Sequence, residues 1–250
     1  MGRMDDRVAI VTGGVGYLGR SHALHLASEG AAVVVADLAD GSGVVDEIIA
    51  AGGRAISVVT DVSDEASVQG MVDATLSEYG RIDALLNNAA IVNGIQKPWT
   101  EISAEEWRKN IDVDLTSMFL CCSAVFPTMK AQSYGRIINI SSGTVVLGFP
   151  NFLHYVTAKS GAVGFSRALA SEVGCDNVTV NTIMVGLYPH DLPGIDIESV
   201  TEQCVAMQAI KRVGQPEDLS AALTFFLSED AGWITGQSIA VDGGLVRTGG

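Results

Sequence analysis

Cysteine is scarce in this chain. The 250 residues hold four, Cys121, Cys122, Cys175 and Cys204, and none belongs to a Cys-x-x-Cys motif. A disulfide framework and a thiolate zinc cage are both excluded as organising devices. Histidine is equally sparse: His22 and His25 stand three residues apart, His154 and His190 are isolated, and the expected role of the pair is packing or surface polarity, not metal binding. Basic residues are outnumbered, 15 Lys and Arg against 29 Asp and Glu, for a formal net charge of −14 with no basic stripe. Nucleic acid is therefore not an expected partner. Six prolines form no Pro- or Ser-rich linker, so one domain over residues 1–250 is expected. Asp5 and Asp6 precede the first apolar run, which predicts neither a signal-peptide core nor a membrane span there. A cytoplasmic location without a membrane partner follows as an expectation.

What the chain does have is apolar material, 48% of residues against 18% charged, enough for a large core. Short runs rich in Val and Ile alternate with longer segments of helical period, the pattern of a parallel sheet covered on both faces. Strands are predicted at Arg7–Thr12, Ala32–Asp37, Arg54–Val59, Ala84–Asn87, Gly135–Ile140, Thr179–Met184 and Ser238–Val241. Helices are predicted near 17–29, 42–52, 64–79, 103–131, 152–173 and 216–228. Ser103 before Ala-Glu-Glu reads as an N-cap, and Pro216 with Glu217 and Asp218 opens the last long helix. The sum is a doubly wound α/β Rossmann fold with a seven-stranded parallel sheet. The stretch 186–209 holds Pro189, Pro193 and Gly194 and then a short helical segment; its irregularity suits a substrate lid.

The first strand runs into Thr12-Gly13-Gly14-Val15-Gly16-Tyr17-Leu18-Gly19 and then into a helix. Glycines there allow a sharp turn, close approach of backbone amides to a pyrophosphate, and a phosphate seat at the helix N-terminus. The second strand ends in Asp37, 18 residues after Gly19, where a carboxylate accepts hydrogen bonds from an adenosine ribose. Its charge repels a 2′-phosphate, and Leu38-Ala39-Asp40 brings no cation. NAD is the expected cofactor.

With these motifs the chain resembles the short-chain dehydrogenases/reductases over nearly its whole length. Asp61-Val62, Asn87-Asn88-Ala89-Ala90, Ile140-Ser141-Ser142, Tyr155-Val156-Thr157-Ala158-Lys159 and Val241-Asp242-Gly243-Gly244 carry the resemblance. It implies cofactor contacts at Gly13, Gly16, Tyr17, Leu18, Gly19, Asp37, Asp61, Val62, Asn88, Ala89, Gly186 and Tyr188, in addition to Tyr155 and Lys159. Tyr155 and Lys159 are four apart, so a helix places both on one face. An ammonium beside a phenol favours the phenolate, which suits Tyr155 to proton exchange with an alcohol or ketone. The resemblance selects Ser142, 13 residues before Tyr155, over Ser141 to hold the substrate oxygen. It also implies a homotetramer paired through the helices at 103–131 and 152–173.

Three departures from the family pattern stand out. Tyr17 lies where the single-domain branch has glycine, as in the extended branch that includes sugar-nucleotide epimerases. Asp114 stands where an asparagine usually links the lysine to solvent through water, and is a candidate catalytic residue. Val185-Gly186 replaces Pro-Gly, with His190 where a threonine often binds the cofactor. The expected activity is interconversion of a secondary alcohol and a ketone, with an apolar substrate bordered by Val145, Val146, Leu147, Phe149, Phe152, Ile91 and Leu187. Reduction of 3-oxoacyl thioesters stays open. A catalytically silent NAD(H)-binding regulator and a sugar-nucleotide epimerase are the alternatives; net change in free NADH on turnover separates them from the dehydrogenase.

Overall fold

Every side chain of Val8-Ala9-Ile10-Val11-Thr12 is buried. Since successive residues of a strand point to opposite faces, such a run needs cover on both sides. Ala9 and Val11 feed one core, with Leu26, Ile48 and Leu223; Val8 and Ile10 feed the other, with Met71, Cys121 and Val125. The computed structural model describes residues 2–92, 96–189 and 196–247. Within them the strands are β1 (Val8–Thr12), β2 (Ala32–Asp37), β3 (Arg54–Val59), β4 (Ala84–Asn87), β5 (Gly135–Ser142), β6 (Val178–Val185) and β7 (Ser238–Val241). They form one parallel sheet in the order β3-β2-β1-β4-β5-β6-β7. The order reverses between β1 and β4, so a crevice opens there beyond the carboxyl ends of the strands.

The α-helices of the described residues are α1 (Tyr17–Ser28), α2 (Ser42–Ala50), α3 (Glu65–Tyr79), α4 (Ala104–Ile111), α5 (Ser117–Gln132), α6 (Thr144–Leu147), α7 (Leu153–Val173), α8 (Ile197–Met207) and α9 (Glu217–Leu227). Ser103 caps α4 in a full capping box with Glu106, and Pro216 precedes α9, whose first turn holds Glu217 and Asp218. The one helix expected at 103–131 is interrupted by a π turn, Asp112–Thr116. By length and composition alone Ala104–Gln132 could cross a bilayer; its apolar side is instead engaged, with Met118, Cys121, Cys122, Val125 and Met129 buried in the protein. β5 and β6 each run on to give eight-residue strands, because their extra residues pair with one another as Ser142 with Val185. The segment read as a lid contains α8; His190 lies outside the described residues.

Candidate active site

Two groups of side chains close the crevice. At one end the β1–α1 turn packs so tightly that a Cβ on Gly19 would stand 1.9 Å from the Gly13 carbonyl oxygen and 2.9 Å from Asn88 Nδ2. Asn88 stitches this turn to the end of β4, its Nδ2 donating to the carbonyls of Thr12 (3.0 Å) and Gly13 (3.2 Å). Thr12 Oγ1 accepts from the amides of Asn88 and Ala89 at 3.0 and 3.1 Å. α1 opens at Gly16 with no side-chain cap and no acidic residue in its first turn. Its positive end is thereby left for an anion, the fit that a dinucleotide pyrophosphate requires.

Asp37 closes the cleft beside β2. Its Oδ2 accepts from the Val15 amide (3.0 Å) and its Oδ1 from the Ala39 amide (3.0 Å). A carboxylate has capacity for further hydrogen bonds, so these two donors orient Asp37 toward the cleft without exhausting it. Gly13, Gly16, Tyr17, Leu18, Gly19 and Asp37 all border one cleft of about 610 Å³, joined by Val62, Asn88 and Ala89, with Tyr155 and Lys159 at its far wall. That volume is ample for a cofactor-sized ligand.

At the other end α7 is held against the sheet by a buried polar ladder. Asn87 Nδ2 donates to Asn139 Oδ1, Asn139 Nδ2 to Ser166 Oγ, and Thr182 Oγ1 to Ser166 Oγ, each at 2.8 Å. Ser141 Oγ donates to the Lys159 carbonyl (2.8 Å) and so belongs to this scaffold. Ser142 Oγ accepts from both the amide (3.2 Å) and the hydroxyl (2.9 Å) of Thr144, which leaves its own proton to be donated on the Tyr155 side. Lys159 is among the largest fully buried side chains. Its Nζ donates to the Ile140 carbonyl (3.3 Å), lies 5.7 Å from the Tyr155 ring centre and 3.7 Å from Asp114 Oδ2. Burial, and after it the Asp114 charge, push the Tyr155 phenol well up, while a hydrogen bond with Ser142 pulls it down. Burial likewise pushes the Asp114 carboxyl up, opposed by the Lys159 charge.

Other positions expected at the site are placed differently. Asp61 Oδ1 accepts from the Ser63 amide and hydroxyl (2.9 and 2.6 Å), and it is Thr60 and Val62 that border the cleft. Gly186 and Tyr188 border a separate cavity of about 190 Å³. A Cβ on Gly186 would stand 2.8 Å from that of Asp242, and the Tyr188 hydroxyl donates to the Val241 carbonyl (2.9 Å). Of the apolar residues read as bordering substrate, Ile91 lies on the cleft and Leu187 on the second cavity, while Val146 and Leu147 are exposed. Thr144, Val15, Lys109 and Val113 escaped sequence reasoning; only Thr144, two residues after the serine, offered a signal in its spacing.

Comparison with known proteins agrees with this geometry. Residues 16–246 match the family model described as enoyl-(acyl carrier protein) reductase. The chain is 37% identical over 252 residues to a 3-oxoacyl-(acyl-carrier-protein) reductase of Synechocystis, covering 98% of this chain and 99% of that protein. It is 35% identical over 240 residues to the cis-4-hydroxycyclohexanecarboxylate dehydrogenase of Sinomonas cyclohexanicum, covering 96% of each. The crystal structure of levodione reductase superposes with a TM-score of 0.89 at 32% identity, covering 96% of this chain and 98% of that one. Matched over nearly its whole length by such relatives, the chain belongs to the short-chain dehydrogenase/reductase family and is an oxidoreductase that interconverts a secondary alcohol and a ketone.

Proposed function

We propose that the nicotinamide cofactor is NAD(H) and that Tyr155 is the acid and base of the reaction. The observation that carries the cofactor choice is Asp37, a carboxylate fixed by the Val15 and Ala39 amides where an adenosine ribose lies in such folds. A 2′-phosphate there would meet like charge, and the residues that follow, Leu38 to Asp40, supply no cation. When bound, the nicotinamide supplies or accepts the hydride. Tyr155 gives its phenolic proton to the carbonyl oxygen in reduction and takes it back in oxidation, Ser142 holds that oxygen, and Lys159 places its ammonium beside the phenol. Ile91, Val92, Val113, Ile140 and Val185 make the walls apolar, which supports a small apolar alcohol or ketone as substrate. The same reading takes residues 1–250 as one domain with a lid at 186–209, a cytoplasmic location, and a homotetramer as the family resemblance implies.

Steady-state rates with NADH and NADPH on a panel of cyclic ketones test it. Because like-charge juxtaposition costs several kcal/mol, kcat/KM with NADH should exceed that with NADPH by about a hundredfold. Asp37→Ala should bring the two within about tenfold. Equal or better use of NADPH by the unaltered protein would overturn the cofactor choice, and undiminished turnover by Tyr155→Phe the proton-transfer role.

A further inference from the structure

Asp114 departs from the family pattern, and the structure gives that departure a surrounding. The π turn, with its wider winding, carries Asp114 into the interior, where it is wholly buried. Its Oδ1 accepts from the Ile91 amide at 2.8 Å. Its Oδ2 has no hydrogen-bond partner and faces Lys159 Nζ at 3.7 Å. Among the described residues the charged and titratable groups coupled to it are Lys159 and Tyr155 from α7, with Lys109 on its own helical run at the cleft rim; from β5 the Ile140 carbonyl accepts from Lys159 and Ser142 hydrogen-bonds with Tyr155.

We infer that Asp114 is a positioning residue that biases the site toward giving a proton rather than taking one, and so toward ketone reduction over alcohol oxidation near neutral pH. The inference rests on Tyr155 being the acid and base. Its logic is a charge count. With an amide at 114, the buried Lys159 ammonium would face the phenol uncompensated, and ionising the phenol would neutralise the pair. With a carboxylate there, ammonium and carboxylate already balance, and a phenolate would add an unpaired negative charge inside the protein. Asp114 therefore pairs with the ammonium and opposes the phenolate at once. In reduction one hydride arrives from the reduced nicotinamide at the carbonyl carbon. The phenol O–H breaks, its proton forming the O–H of the alcohol, and the phenolate then recovers a proton from the Lys159 ammonium, which is recharged from solvent. Oxidation runs this backward and must begin from the phenolate that Asp114 disfavours.

The test compares the unaltered protein with Asp114→Asn and Asp114→Glu. Ultraviolet titration of the cofactor-free proteins near 295 nm, with Tyr155→Phe versions subtracted, isolates the ionisation of Tyr155. Asp114→Asn should bring it, and the alkaline-rising limb of the oxidation rate, down by about one pH unit or more. NADH binding followed by fluorescence should stay within about twofold. Asp114→Glu, which keeps the charge, should hold the original limb; if Asp114→Asn fails to fold, Asp114→Ser takes its place with the same expectation. An unmoved titration and limb, or a shift to higher pH, would overturn the inference. Undiminished turnover by Tyr155→Phe would instead overturn the reading on which it stands.

Discussion

His22 sits on α1 wholly buried, and neither ring nitrogen has a hydrogen-bond partner. Desolvation, aided by His25, lowers it to about 4 from 6.5. A histidine neutral in the fold and protonated once unfolded contributes its full stability above pH 6.5, and loses it progressively as pH falls from 6.5 to about 4. The loss amounts to roughly 3 kcal/mol at the acid end. His22→Leu, which removes the titration and fills the space with carbon, should raise the melting temperature at pH 5 relative to the unaltered protein. At pH 8 the two should differ little. Parallel melting temperatures for both proteins across that range would show that His22 does not govern acid stability. At this scale, residues that border the cleft were legible where spacing carries the message. Tyr155 and Lys159 emerge together because four residues make about one turn, and Asp37 follows from the strand that ends in it. The burial of His22 was not legible, since α1 packs against α9, which comes from the far end of the chain.

Elements were read well wherever their signals are local, as with the Ser103 capping box and the short strands rich in Val and Ile. The π turn was not, because the apolar period of 103–131 runs through it without a break. Its cause is tertiary: the Asp114 carboxylate accepts the Ile91 amide at the end of β4 and meets Lys159, and a wider turn swings it there. The β1–α1 turn makes the opposite case, since its glycines were visible and their necessity is geometric. Gly19→Ala would set a methyl 1.9 Å from the Gly13 carbonyl oxygen, which belongs to the backbone and has nowhere to go. The gain in helix propensity of about 1 kcal/mol cannot offset that clash. The variant should melt several degrees lower and bind NADH at least tenfold more weakly by fluorescence; unchanged binding would mean that the turn plays no part in holding the cofactor.

Over the whole molecule, the parallel doubly wound sheet was implicit in the alternation of strands and helices, its strand order was not, and the reversal between β1 and β4 sets the cleft. What the sequence concealed is how the opposite edge is secured. Asp83, fully buried, accepts from the Val8 amide (2.9 Å), from Arg7 (3.3 Å) and from Arg81 (2.7 and 2.6 Å). Arg7 and Arg136 stack on the Tyr134 ring, 4.1 and 4.3 Å from its centre. Arg136 donates onward to the carbonyls of Ser228 (3.2 Å) and Asn177 (3.1 Å), and Arg7 pairs with Glu229. These residues lie far apart in sequence, so no local pattern announced the network.

The sheet is thus riveted at one end. β1, β4, β5 and β6 are tied to one another where they begin by the side chains around Asp83 and Arg136, while at their far ends, still paired as Ser142 with Val185, they give way to the loops that border the cleft. Motion of the strands should grow with distance from Asp83, and a bound cofactor should quiet the open end alone. Hydrogen exchange reads this directly. The amides of Val8 and Arg136, donated to Asp83, should exchange slowly with or without NADH. Those of Asn88 and Gly143, donated to Thr12 and Val185 at the cleft end, should slow by about tenfold or more when NADH is added. Equal slowing at both ends would mean that the sheet stiffens as a single plate, and that the riveted edge confers no gradient of motion on the cleft.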